Sequence, residues 1–85
     1  MVYTLKFSKN AAKQISKLDN LVKSKVKEAL ESKLIMDPVN HSTGLTGFEI
    51  KEARRFRVGT YRVIFVIADD AIEILRVGHR RDIYK

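Results

Sequence analysis

The stretch Phe56–Val77, FRVGTYRVIFVIADDAIEILRV, decides the fold of this chain. Two short turn-type links, Gly59-Thr60 and Asp69-Asp70, divide it into runs rich in β-branched and aromatic residues. Such runs joined by two-residue links are typical of antiparallel β-hairpins. The pattern therefore predicts a meander of three strands over residues 48–58, 61–68 and 71–77. The second strand is almost wholly apolar after Arg62, so we expect it at the centre of the sheet with both faces covered.

The N-terminal half has the patterns of one strand and two helices. Val2–Phe7 alternates apolar and polar residues, as a half-buried strand does. Ser8 suits a helix N-cap, and from Lys9 to about Asp19-Asn20 the apolar residues recur at helical spacing. A second amphipathic helix follows and ends at Asp37-Pro38, because the residue before proline avoids the helical conformation. Residues 41–47 have the composition of a loop.

The order strand, helix, helix, strand, strand, strand predicts an α+β fold. In this fold a helical hairpin packs on one face of a mostly antiparallel four-stranded sheet. The sequence contains no repeat and no internal linker, so we expect residues 1–85 to form a single domain. The face opposite the helices is then left as a working surface.

The composition argues against several kinds of site. The chain has no Cys and two His without a nearby acidic cluster, so we expect no disulfide, no metal and no other cofactor. The longest apolar run, Val63–Ala68, is far shorter than the 18 or so residues of a membrane span, and the N-terminus lacks a signal-peptide segment. We therefore expect a cytoplasmic protein without a membrane partner.

The basic residues are unevenly distributed. Lys and Arg number 17 against 10 acidic residues, which gives a net charge of +7. Every arginine lies at or after Arg54, whereas most lysines lie at or before Lys33. Arginine presents a planar fork of donors that matches phosphate, while the lysines suit a solvated helix face. The arginine-rich segment is therefore the sharper indication of a polyanionic partner.

Strand alternation brings several of these arginines to one side of the sheet. Arg55 and Arg57 lie opposite the apolar Phe56 in alternation, and Arg62 and Arg76 belong to the next two strands. A shared anion would explain why like charges converge there. The alternative is that the arginines only line exposed strand faces, partly neutralised by surface carboxylates. The carboxylates available are Glu49, Glu52, Glu73 and Asp82.

The C-terminal run 76–85, RVGHRRDIYK, carries the side chains that RNA cleavage needs. His79 can exchange a proton near neutral pH, Arg80 and Arg81 can hold phosphate, and Tyr84 can stack on a base or hydrogen-bond a reacting oxygen. Attack by a 2′-OH requires a base, cations and an acid, but no metal. Each residue alone has an ordinary structural explanation, and their coincidence favours a nuclease. Because this tail follows the last strand, we expect it to add little to the core.

Two segments, RVGTYRVIF (57–65) and LRVGHRRDIY (75–84), together resemble the RelE branch of the RelE/ParE toxin superfamily. The resemblance extends over essentially the whole chain. It implies a RelE-like toxin domain and a ribosome-dependent endonuclease that cuts mRNA in the A site and so inhibits translation. It also implies a cognate RelB-type antitoxin, held with the toxin in a hetero-oligomer.

The resemblance assigns roles only where residues match. Arg62 corresponds to the arginine that holds the scissile phosphate, and Tyr84 to the C-terminal aromatic that stacks on or orients the cut nucleotide. Ala53 stands where the best-studied branch carries a lysine, which makes His79 the more attractive candidate for proton transfer. The catalytic candidates are therefore Arg62, His79, Arg80 and Tyr84. The RNA-binding candidates are Arg55, Arg57, Arg76 and Arg81.

Two other functions stay open at this point. The ParE branch has the same fold but poisons DNA gyrase without cutting RNA, and its members tend to lack the His and Tyr of this tail. A basic RNA-binding or ribosome-binding module without catalysis would need the arginines but would have no use for His79 and Tyr84 together.

Overall fold

The computed structural model describes residues 2–83 and confirms the predicted α+β architecture. The elements along the chain are β1 (Thr4–Phe7), α1 (Lys9–Ser16), α2 (Asn20–Ala29), a π-helical turn (Leu30–Leu34), β2 (Thr43–Gly44), β3 (Arg54–Val58), β4 (Tyr61–Ala68) and β5 (Ala71–His79). The strands form one sheet in the order β1-β5-β4-β3-β2. β1 runs parallel to β5, and the other neighbouring strands are antiparallel.

The sheet has five strands where the sequence predicts four. The additional strand, β2, lies in the segment predicted as a loop, and it pairs with the first two residues of β3. A strand of two residues is too short to leave an alternating pattern, so only the backbone pairing identifies it. β3 begins later than predicted because residues 48–52 form bends and turns, whereas β5 continues two residues past Val77.

The two predicted links are the turns of the β3–β4 and β4–β5 hairpins. Each turn contains one residue with a positive φ, Gly59 at 60° and Asp69 at 56°. Glycine adopts this conformation freely and aspartate is one of the residues that tolerate it, so both turns suit their sequences. Within residues 2–83, no helix is long and apolar enough to cross a membrane.

Side-chain caps determine where the helices begin. At α1, Ser8 Oγ accepts a hydrogen bond from the N–H of Ala11 at 3.0 Å, as the sequence predicts. At α2, Asp19 Oδ1 accepts one from the N–H of Leu21 at 3.0 Å. Each cap satisfies a backbone donor that the first helical turn leaves without a partner.

α1 is also hydrogen-bonded to β5 beyond the end of β1. Ser8 Oγ donates to the carbonyl oxygen of Leu75 at 3.0 Å, and Gln14 Oε1 accepts from the N–H of Val77 at 2.8 Å. These polar side chains satisfy backbone groups that a longer β1 would otherwise have paired. They fix the first helix against the last strand.

Two hydrophobic clusters lie on the two faces of the sheet. The helix-side core consists of Ala11, Val26, Leu30, Leu34, Phe56, Val63, Phe65, Ile72, Ile74 and Val77. The open-face cluster consists of Ala53, Ile64 and Ile83, bordered by the partly buried Leu45, Phe48, Val66 and Leu75. β4 contributes to both clusters and has two strands on each side, which confirms it as the central strand.

A β-bulge in β5 changes which of its residues face the helices. Ile64 of β4 lies opposite Arg76, but the next residue, Phe65, lies opposite Ile74, so Leu75 is the extra residue. Strict alternation from Ile74 would turn Arg76 toward the helices. The extra residue instead sends Arg76 to the open face and the following Val77 into the helix-side core.

Candidate active site on the open face of the sheet

Four arginines from three adjacent strands share the open face. The strand register places Arg57 directly opposite Arg62, while Arg55 and Arg76 flank Ile64 in the neighbouring row. Because Ile64 belongs to the open-face cluster, both rows point away from the helices. We call Arg55, Arg57, Arg62 and Arg76 the arginine face. Its composition agrees with the alternation read from the sequence.

The electrostatics of this face favour an anion. Like charges placed directly opposite each other on neighbouring strands are destabilising, and Arg57 and Arg62 are such a pair. Arg62 Nη1 donates to the carbonyl oxygens of Gly59 at 2.9 Å and Tyr61 at 3.0 Å. These bonds hold the guanidinium group at the β3–β4 turn. A phosphate bound there would offset the repulsion between the two arginines.

Arg76 contacts both the segment before β3 and the C-terminal tail. Its Nη2 donates to Glu49 Oε1 at 2.7 Å, its guanidinium carbon lies 4.9 Å from the ring centre of Phe48, and its Nη1 lies 3.4 Å from the carbonyl oxygen of Ile83. Arg76 thereby links residues 48–49 and the C-terminal tail to β5. Glu49 thus forms an ion pair with an arginine of this face.

Arg54 is not part of the arginine face. Its Nε donates to Ser42 Oγ at 2.7 Å, and its Nη2 donates to the carbonyl oxygens of Val39 and Ser42, both at 3.2 Å. In the sheet it lies opposite Phe65, a residue of the helix-side core. Arg54 therefore stabilises the segment 39–42, which leads into β2.

His79 lies on the other side of the sheet from the arginine face. It pairs with Tyr61, and the two rings meet edge to face with their centres 5.6 Å apart and their planes at 83°. Val63 and Val77, the neighbouring pair along the same strands, face the helix-side core, so Tyr61 and His79 lie on that side at the end of the sheet. The sequence by itself did not show that His79 and the arginine face lie on different sides of the sheet.

The hydrogen bond at His79 fixes its neutral tautomer. The backbone N–H of Arg81 donates to His79 Nδ1 at 3.2 Å. A nitrogen that accepts a hydrogen bond carries no proton of its own, so the neutral ring has its proton on Nε2. In this arrangement Nε2 of His79 is a hydrogen-bond donor.

The C-terminal tail turns from the end of β5 back over the open face. The carbonyl oxygen of His79 accepts from the N–H of Asp82 at 2.9 Å and from the N–H of Ile83 at 3.0 Å. Arg80 and Arg81 are exposed in this turn, and Ile83 is 3% exposed within the open-face cluster. The expectation that the tail adds little to the core is therefore wrong. Tyr84 lies outside the described residues.

The described residues offer no obvious metal site. Between residues 2 and 83, no three His, Asp or Glu side chains are grouped closely enough to hold a metal ion. The candidate site comprises the arginine face, a histidine at the sheet end and the tail that follows it.

Comparison with known proteins gives the family. The family model for the ParE toxin of the type II toxin–antitoxin system, parDE, matches residues 5–84, almost the whole chain. The chain belongs to the ParE toxin family. Toxin RelG of Mycobacterium tuberculosis is similar to this family member, at 33% identity over 87 residues covering 100% of the chain and 99% of RelG. The protein is thus a toxin of the RelE/ParE superfamily of type II toxin–antitoxin systems.

Solved structures of RelE toxins have the same fold. A chain of the toxin–antitoxin complex RelBE2 from M. tuberculosis matches with a TM-score of 0.86 at 31% identity, over 96% of this toxin and 95% of that chain. A chain of the archaeal RelE–RelB complex from Pyrococcus horikoshii OT3 matches with a TM-score of 0.72 at 26% identity, over 96% and 99%. The isolated E. coli RelE toxin, at 22% identity and a TM-score of 0.75 over 91% and 83%, matches in fold.

Proposed function

We propose that this toxin is a ribosome-dependent endonuclease of the RelE type, which cleaves mRNA in the A site and thereby inhibits translation. The observation that carries the proposal is the arginine face, where three adjacent strands bring four guanidinium groups to one open surface. Likeness to RelG and to RelE toxins supports the RelE branch over a gyrase poison. A binding module without catalysis is the remaining competitor.

Arg62 is the residue to which we assign stabilisation of the transition state. In the proposed reaction the 2′-oxygen loses its proton and attacks the adjacent phosphorus, and the bond from phosphorus to the 5′-oxygen breaks as that oxygen gains a proton. Negative charge develops on the non-bridging oxygens, and Arg62 with Arg57 opposite it supplies donors for that charge. Arg55, Arg76 and Arg81 bind the flanking phosphates. None of these steps requires a metal.

Proton transfer in this proposal involves the C-terminal residues. Because Nδ1 of His79 accepts the N–H of Arg81, the neutral ring offers an N–H at Nε2. That N–H can hydrogen-bond a phosphate oxygen, but a neutral ring does not give up this proton, so His79 protonates the leaving 5′-oxygen only from its imidazolium form. His79 lies on the helix side of the sheet end, so it acts on RNA that passes around that end. Arg80 adds positive charge beside it, and Tyr84 stacks on the cut nucleotide or hydrogen-bonds a reacting oxygen.

Purified translating ribosomes with a defined mRNA test this function against its competitors. The proposal requires cleavage of the mRNA at the A site on addition of the purified toxin. DNA damage in cells with intact mRNA would instead support a gyrase poison. Stable ribosome binding without either effect would leave a non-catalytic module.

We further propose that the partner is a RelB-type antitoxin that holds the toxin in a hetero-oligomer. An apolar cleft of about 330 Å³ lies between α1, α2 and β1, lined by Leu5, Phe7, Ile15, Val26 and Leu30, and two basic residues and one acidic residue, Lys23, Lys27 and Glu31, also border it. Phe7 is 44% exposed in this cleft. Such a surface suits an amphipathic segment that carries acidic side chains. Expression of the toxin alone should stop growth, and co-expression of the neighbouring antitoxin frame should restore it.

A further inference from the structure

We propose that Ile83 is a positioning residue, which seats the C-terminal tail on the arginine face so that the next residue, Tyr84, acts on RNA bound there. The inference rests on the proposed endonuclease function and extends it to a residue that has no chemistry of its own. Ile83 differs in burial from the three residues that precede it. Arg80, Arg81 and Asp82 are exposed, yet Ile83 is 3% exposed.

The contacts of Ile83 fix both its backbone and its side chain. Its N–H donates to the carbonyl oxygen of His79 at 3.0 Å, and its own carbonyl oxygen lies 3.4 Å from Arg76 Nη1. Its side chain packs with Ala53 and Ile64. An aliphatic side chain buried at this point ties the end of a charged tail to the same face as the arginines.

Gly78 lies beneath the Ile83 side chain. In the sheet register Gly78 lies directly opposite Arg62, which lies opposite Arg57. A Cβ atom added at Gly78 would lie 3.4 Å from Ile83 Cδ1, at the edge of ordinary van der Waals contact. The Ile83 side chain therefore lies directly over the backbone of Gly78. Ile83 therefore packs over the row that contains the proposed catalytic arginine.

One peptide bond joins Ile83 to Tyr84, the residue to which we assign contact with the cut nucleotide. Tyr84 follows Ile83 directly in the sequence, so the contacts that fix Ile83 restrict where the next residue can begin. Misplacement of a reacting group by about 1 Å can cost on the order of 10²-fold in rate. Loss of the anchor should therefore affect the cleavage step more than ribosome binding.

The test compares single-turnover cleavage by Ile83→Ala, Ile83→Val and the wild type at saturating ribosomes. We expect a loss on the order of 10²-fold for the alanine variant, ribosome affinity within a few-fold, and recovery of most of the rate in the valine variant. Ile67→Ala is the matched control, because Ile67 is a partly buried isoleucine that packs on the helix-side core. Its rate per folded molecule should match the wild type.

A double-mutant cycle separates positioning from general destabilisation. If Ile83 acts through Tyr84, the Ile83→Ala, Tyr84→Ala double variant is no slower than Tyr84→Ala alone. Losses that multiply, or a valine variant as slow as the alanine variant, would overturn the proposal.

Hydrogen exchange supplies a readout that does not depend on activity. The amides of Asp82 and Ile83 both donate to the carbonyl oxygen of His79, so their exchange should speed up in Ile83→Ala and stay slow in Ile67→Ala. Unchanged exchange would overturn the anchor even if cleavage fell. A wild-type toxin that fails to cleave mRNA would overturn the proposed function instead, and with it the catalytic part of this inference.

Discussion

Alanine substitutions of Arg62 and Arg54, which lie on adjacent strands but on opposite faces of the sheet, should have opposite effects on activity and stability. Arg62 faces the open side of the sheet beside Arg57, whereas Arg54 is hydrogen-bonded to the segment before β2. Arg62→Ala removes a donor from the proposed transition state, and such a loss typically costs about 10²–10³ in rate, equivalent to about 3–4 kcal/mol. Arg54→Ala should leave the cleavage rate of the folded protein within about twofold of the wild type.

The stability effects should run the other way. Arg54 makes three hydrogen bonds to Val39 and Ser42, one of them to a side-chain hydroxyl. For a half-buried guanidinium we expect their loss to cost about 1–2 kcal/mol, which lowers Tm by roughly 5–15 °C in a domain of this size. The two bonds from Arg62 to carbonyl oxygens of its own turn, one of them exposed, should together contribute less than about 1 kcal/mol.

The assay combines single-turnover cleavage on programmed ribosomes with urea denaturation of each variant. Arg62→Lys is a useful third variant, because it keeps the charge and removes the planar fork of donors. Intermediate activity in Arg62→Lys would indicate that charge alone supplies part of the effect. Equal slowing by Arg54→Ala and Arg62→Ala at unchanged ribosome affinity would refute the assignment of the arginine face.

Three further predictions concern the tail, the core and the loop after the π-helical turn. His79→Ala should slow cleavage by about 10²–10⁴ without a matching change in Tm or antitoxin binding, and an equal loss of all three would argue for a structural role. Phe65→Ala truncates a fully buried side chain of the central strand, so urea denaturation should show a loss of about 3–5 kcal/mol; a loss below about 1 kcal/mol would contradict the packing described here. The Asn40 side chain and, more weakly, its backbone N–H donate to Asp37 and hold the pKa of that carboxyl below its ordinary value. The stability that this contributes is present above the ordinary pKa and is lost as the pH falls through the lowered one. NMR titration of Asn40→Ala should show the pKa returning upward, and an unchanged value would exclude Asn40 as the cause.

Local patterns in the sequence determined most of the secondary structure. The turns at Gly59-Thr60 and Asp69-Asp70 and the N-cap at Ser8 depend on conformational preferences and hydrogen bonds within a few residues. The placement of Arg55 and Arg57 opposite Phe56 follows from the two-residue period of a strand. All of these features are decided over distances that a short stretch of sequence contains.

The fifth strand and the burial of the C-terminal tail depend on contacts between residues that are far apart in the sequence. β2 exists only because residues 43–44 meet the start of β3, and Ile83 is buried only because it packs with Ala53 and Ile64 over the backbone of Gly78. The ion pair of Arg76 joins residues 27 positions apart. No local periodicity encodes contacts of this kind.

The bulge at Leu75 shows most clearly what tertiary structure added. Continued alternation from Ile74 would have put His79 on the open face and Arg76 against the helices, which is the opposite of what the register shows. One extra residue exchanges their sides and lets both Ile74 and Val77 reach the helix-side core. The sequence by itself determined which residues could form the site, because their chemistry is local. Only the pairing of β4 with β5 decided which of them share a face, because a shift of one residue in a strand reverses every side chain beyond it.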